Sequence, residues 1–153
     1  MKPFGIWLKR IGIALLVLLV IAQVIPVDRR NPVVDTAKSI YAKEKIPAQV
    51  KTVFDRSCAN CHSNNTDWPW YSRVAPVSWM VASDVHEARA KMNFSTWGDY
   101  PADKREERLE EICEQLTNGD MPDFKYLLVH RSARLTPAEH DAVCQWTEDS
   151  RQY

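Results

Sequence analysis

From Ile11 to Val27 the chain reads IGIALLVLLVIAQVIPV, seventeen residues without a charge. As a helix this run reaches the short end of what crosses the hydrocarbon of a bilayer. It divides the chain, because whatever folds as a water-soluble body must be built from the residues that follow. Residues 1–27 are therefore expected to form a membrane anchor with a short cytoplasmic tail. Lys9 and Arg10 precede the run, and Trp7 suits the interface between lipid and water. The competing reading is a cleaved signal peptide, with Val20-Ile21-Ala22 as its small-residue site. The apolar run continues past Ala22 to Val27, which favours the uncleaved anchor.

Charge places limits on the rest. Twenty Lys and Arg balance twenty Asp and Glu. The first 27 residues hold three basic and no acidic residues, so the remainder carries 17 minus 20, or −3. A mildly acidic body without a basic stripe gives no footprint for nucleic acid. Lys2, Lys9 and Arg10 lie before the apolar run, and Arg29, Arg30, Lys38, Lys43 and Lys45 follow it. A raw count of positive charge thus puts the downstream residues on the cytoplasmic side. The cysteine motif described below argues for the opposite side and outweighs the count.

Residues 28–45 are polar, mixed in charge and interrupted by Pro32, and are expected to be a linker with a helical turn around Ala37–Ala42. Residues 46–153 form the expected domain. Four helical patterns and no sustained alternation of period two make it all-α. The first helix, from about Pro47 to Arg56, places Val50, Val53 and Phe54 on one face. The second follows Ala75-Pro76 and repeats apolar residues at Val77, Val81, Val85, Ala88 and Met92. The third opens near Pro101 and Asp103, carries Leu109, Ile112, Cys113 and Leu116, and stops at Gly119. The last opens on a capping box, with Thr136 as cap, Pro137 as the first helical residue and Glu139 as reciprocal partner.

Two of the chain's four cysteines and one of its four histidines fall within five positions, Cys58-Ala59-Asn60-Cys61-His62. The spacing C-x-x-C-H suits a c-type haem: two thiols add to the vinyl groups along one edge of the ring, and the adjacent histidine ligates iron. Structural zinc wants a second ligand pair, and Cys113 and Cys144, 31 residues apart, do not make one. A thioredoxin-like dithiol would follow a strand, whereas a helix precedes this motif. The polar surroundings, SCANCHSNN, are unlike a buried core stripe.

Iron also needs a second axial ligand or an open position. Thr117–Phe124, TNGDMPDF, sets Met121 in a loop between a helix-ending Gly119 and Pro122, off any helical face. Proline restrains the backbone beside the thioether. Met80 and Met92 lie on the second helix and read as core fillers. Of the remaining histidines, His130 is the alternative distal ligand, while His86 and His140 read as surface or satisfied core residues.

The helix leading into Cys58–His62, the later Gly119-Asp120-Met121-Pro122 loop and the closing LTPAEHDAVCQW helix resemble the class I cytochrome c domain over about Ile46 to Trp146. More narrowly, SNNTDWPWYSRVAPVSWMV, NFSTW and the Met-Pro loop are similar to the membrane-anchored bacterial haem-binding domain family. The resemblance implies an all-helical fold around one covalent haem c in an extracytoplasmic domain. It makes Cys58 and Cys61 the thioether donors, His62 the proximal ligand and Met121 the distal one. His/Met ligation raises the reduction potential and suits electron transfer.

The expected protein is a monohaem electron carrier on the periplasmic face of the inner membrane, serving an unidentified redox partner. No catalytic base or nucleophile can be named, so an enzyme is not expected. The rivals are a haem sensor or peroxidase-like module, and an accessory subunit that docks a membrane enzyme. Trp68, Trp70, Tyr71, Trp79 and Trp97 either wall the haem or face a partner or quinone, and the sequence does not choose. Cys113 and Cys144 lie in apolar helical arcs and, in an oxidising compartment, are expected to form a disulfide.

Overall fold

The computed structural model describes residues 2–151, and among these there is no strand. The first helix, α1 (Lys2–Gln23), contains an apolar stretch, Phe4–Gln23, long enough to cross a membrane, and none of that stretch is buried by the rest of the chain. A 3-10 turn at Thr36–Lys38, capped by Asp35 accepting the Ala37 N–H at 3.0 Å, leads into α2 (Ile40–Lys43). Then come α3 (Ala48–Ser57), α4 (Ala59–His62), α5 (Val77–Lys91), α6 (Ala102–Asn118), α7 (Phe124–Val129) and α8 (Pro137–Arg151). The four long patterns expected from sequence are α3, α5, α6 and α8.

The chain forms two compact units. Of the described residues, one holds 2–30 together with Trp68–Asp84; the other holds Asn31–Asp67 and 85–151. In the first, the Gln23 amide meets the backbone of Ala75, and the Arg29 guanidinium donates to the Ser72 carbonyl at 3.3 Å. Met80, read as a core filler, is instead 48% exposed. Val77 is exposed as well, so the apolar stripe expected along α5 is buried only farther on, at Val85.

The second unit carries the main core. Val50, Val53 and Phe54 of α3, Leu109 and Ile112 of α6, and Val143 and Trp146 of α8 join Ile40, Phe94 and Trp97 in one buried cluster. Phe54 is its centre: its ring lies 5.0 Å from Phe94 and 5.3 Å from Trp146, edge-on to the latter. Offset and edge-to-face pairs of this kind add to the apolar burial.

Residues read as a linker take part in that core. Ile40 is fully buried, the Trp97 indole donates to Glu44 Oε1 at 2.7 Å, and the Trp146 indole donates to the Lys45 carbonyl at 3.1 Å. Buried indoles need such partners, and two tryptophans thereby fix residues 44–45. Gly98 belongs to the same contact, since a Cβ there would lie 2.8 Å from Lys43 Cε and 3.3 Å from Lys38 Cα.

Helix ends follow local chemistry. Glu139 Oε2 accepts the Thr136 N–H at 2.8 Å and Thr136 Oγ1 accepts the Glu139 N–H at 3.3 Å, which completes the capping box of α8. Gly119 ends α6 at φ 75°, a left-handed conformation that glycine adopts without steric cost. Cys113 of α6 and Cys144 of α8 are joined by a disulfide, with Cα atoms 4.9 Å apart.

Candidate haem-attachment site

The cysteine motif is a single helical turn set on the end of α3. The Cys58 N–H closes α3 on the Phe54 carbonyl at 3.0 Å, and the Cys58 carbonyl then accepts from Cys61 and His62 at 3.1 and 2.9 Å. Residues three and four apart share a helix face, so this turn holds the two thiols and the imidazole as neighbours. The disulfide takes Cys113 and Cys144, and Cys58 and Cys61 remain as half-buried thiols. Burial, reinforced by Cys61, pushes the Cys58 thiol up to about 12, with Arg56 acting in the opposite direction. A thiol of this kind is protonated at neutral pH and is a poor resting nucleophile, unlike the low-pKa cysteine of a redox dithiol.

His62 is oriented through its backbone-facing nitrogen. Nδ1 lies 3.0 Å from the Met92 carbonyl. A carbonyl only accepts, so Nδ1 carries the proton and Nε2 keeps its lone pair. Burial lowers the histidine pKa, against the opposing pull of the Met92 and Ala88 carbonyls, and favours the neutral ring. Phe94 stacks against the imidazole with ring centres 6.1 Å apart. A ligating histidine needs this arrangement: one nitrogen anchored, the other basic.

The cradle around this turn is built from Arg89, Asn31 and residues of the SNNT and NFSTW stretches, whose resemblance carried no assigned role. Arg89 donates to the Ser63 carbonyl (2.8 Å), Thr66 Oγ1 (2.7 Å) and Asn31 Oδ1 (2.8 Å). The buried Asn64 donates its N–H to Ser95 Oγ at 2.9 Å and accepts from Asn93 Nδ2 at 2.8 Å. Thr66 Oγ1 donates to the Asn60 carbonyl at 2.8 Å, and Asn60 Oδ1 accepts the Asp67 N–H at 2.7 Å. The run Ser63-Asn64-Asn65-Thr66 thus folds back onto the motif and meets Asn93-Phe94-Ser95. The run of small polar residues directly after His62 was the available signal, since such side chains, once buried, must each find a partner.

Met121 is not part of that turn. It lies in the loop between α6 and α7, where the Gln115 carbonyl accepts the N–H of both Asp120 (3.0 Å) and Met121 (3.1 Å). Its side chain is 41% exposed. Asp123 then caps α7 by accepting the Lys125 N–H at 2.7 Å. His130, the alternative ligand, closes α7 and stacks on Tyr126 with ring centres 4.2 Å apart. His140 lies 3.3 Å from Thr117 Oγ1 and 3.1 Å from Asp141 Oδ1. Among the described residues, no three His, Cys, Asp or Glu side chains are grouped to hold a bare metal ion.

An all-helical body with two thiols and a neutral, anchored imidazole on one turn defines a candidate haem-binding protein. The chain belongs to the haem-binding domain family, whose model matches residues 17–149. No curated protein and no solved structure gives a significant match. The residues present fit a haem: the thiols are not consumed by a disulfide, His62 offers Nε2, and an apolar surface stands open at α7. Phe124, Leu128 and Val129 are exposed on α7, the helix that follows the loop carrying Met121.

Proposed function

We infer that the haem is a covalent c-type haem and that the protein is a single-electron carrier. The observation that carries this reading is the hydrogen bond from His62 Nδ1 to the Met92 carbonyl at 3.0 Å, on the same turn as both thiols. Cys58 and Cys61 would add across the vinyl groups as thioethers, and His62 Nε2 would hold the iron from one side. Met121 would supply the second ligand to the iron. When bound, the iron supplies reversible one-electron chemistry at a potential raised by His/Met ligation.

The chain's own contribution is positional. Met92 fixes the imidazole plane, Phe94 supports its face, and the Arg89 and Asn64 network keeps the loop after His62 from unwinding. In this reading α1 anchors the chain in the inner membrane and the haem domain lies on the periplasmic side, where c-type attachment and the Cys113–Cys144 disulfide are both at home. An unidentified partner protein exchanges the electron.

The test is an absorption spectrum of the matured full chain in both oxidation states, with and without carbon monoxide. A low-spin spectrum that ignores carbon monoxide is expected of a carrier. Prompt carbon monoxide binding by the unaltered protein would contradict the carrier reading and favour a sensor.

A further inference from the structure

The segment from Trp70 to Ala82, in the same compact unit as α1, is packed inside out for a water-facing surface. Its small residues are buried: Ser72 is fully covered, and Ala75, Ser78 and Ala82 are below 9% exposed. Its large apolar residues face outward, with Trp70 at 77% and Met80 at 48%, followed by Val74, Val77 and Trp79. Soluble surfaces scatter single apolar residues, and a contiguous set signals something that covers them.

The position of the segment says what does. Gln23, the last residue of α1, accepts the Ala75 N–H on Oε1 at 3.0 Å and donates from Nε2 to the Ala75 carbonyl at 3.3 Å. The Arg29 guanidinium reaches the Ser72 carbonyl at 3.3 Å. These bonds tie the inverted segment to the end of an apolar helix that is itself bare along its length. Small buried residues on the inner side let the backbone approach the helix end closely enough for that clamp. Tryptophan, with an apolar body and a polar N–H, collects where a spanning helix leaves the bilayer. Arg73, exposed within the segment, adds the positive charge that anionic headgroups attract.

We propose that residues 70–80 form a membrane-interface surface, seated in the headgroup region of the bilayer beside the end of α1. The lipid surface continues from the bare helix onto the bare segment, which favours lipid over a protein partner as the occupant. The proposal rests on α1 spanning a membrane, and its test separates the two.

The full chain is reconstituted in vesicles of phosphatidylcholine and phosphatidylglycerol, with photoreactive benzoylphenylalanine placed at Trp70, at Trp79 or, as reference, at Leu15 within α1. After illumination, mass spectrometry reads phospholipid adducts, and circular dichroism checks that each variant keeps its helices. Adducts at all three positions are expected. Adducts at Leu15 with none at Trp70 or Trp79 would overturn the interfacial surface while leaving the anchor intact. No adduct at Leu15 would overturn the spanning helix and the proposal with it.

Discussion

Met121 and His62 are held differently, and the difference predicts how each responds to substitution. The His62 ring is fixed by a backbone carbonyl, so Met92→Leu should leave the iron environment unchanged, because the carbonyl remains and leucine fills a similar volume. Met80→Leu should be equally silent, since that side chain is half in water. Met121→Ala is expected to open the sixth position, lower the reduction potential and admit carbon monoxide, with haem content unchanged. Spectra and potentiometry check this. An unchanged oxidised spectrum would contradict the assignment of Met121 and turn attention to His130.

At the scale of elements, Glu139 links two helices. It completes the α8 capping box and its Oε1 meets Arg56 of α3 at 2.9 Å. The Arg56 guanidinium, followed by the Thr136 N–H, holds its carboxyl down at about 2, against an ordinary 4.5. A carboxylate depressed on folding adds stability above its unfolded pKa and loses it as pH falls towards the folded value. Thermal melts of the unaltered protein should therefore weaken between about pH 4.5 and 2, and Glu139→Gln should flatten that part of the profile. A variant with the same acid slope would show that other carboxylates dominate.

The disulfide between α6 and α8 closes a separation of 31 residues. Replacing both cysteines by serine should cost about 2 to 4 kcal/mol in a denaturant titration of the domain, largely through the freer unfolded chain.

What the sequence made legible at this scale follows from pattern length. Helices α3, α5, α6 and α8 each carry two turns or more of apolar spacing or a distinct cap, and could be read directly. Helix α7 spans six residues, Phe124–Val129, too few for periodicity, and its Asp123 cap follows a proline that reads as a turn. The stripe on α5 opens at Val77, which faces outward, and Met80, expected to fill core, is half exposed, because spacing identifies a face without saying what it meets. Likewise the polar character of residues 28–45 concealed Ile40, one apolar residue that the core encloses completely. At the site, the motif Cys58–His62 was visible as adjacent letters. The contacts of Arg89, Asn64 and Asn93 were not, since long-range hydrogen bonds leave no periodic trace.

For the molecule as a whole, the core and the site share residues. Phe94 lies between the Phe54 ring of the core and the His62 imidazole. Phe54→Ala is expected to cost about 3 to 5 kcal/mol, by the lost transfer energy and the cavity left behind. It should also loosen Phe94, so a urea titration of the haem-loaded variant should show the iron spectrum changing together with the helical signal. An iron spectrum that changes well apart from helix loss would mean that the site does not depend on this core.

The central claim is that Cys58 and Cys61 bind haem covalently, and acidic organic extraction of the denatured, matured chain tests it most directly. The account predicts that the haem stays with the polypeptide and that mass spectrometry of its peptides places it on the segment containing Cys58 and Cys61. Haem that washes into the solvent, or that remains bound in a variant carrying Cys58→Ser and Cys61→Ser together, would contradict it.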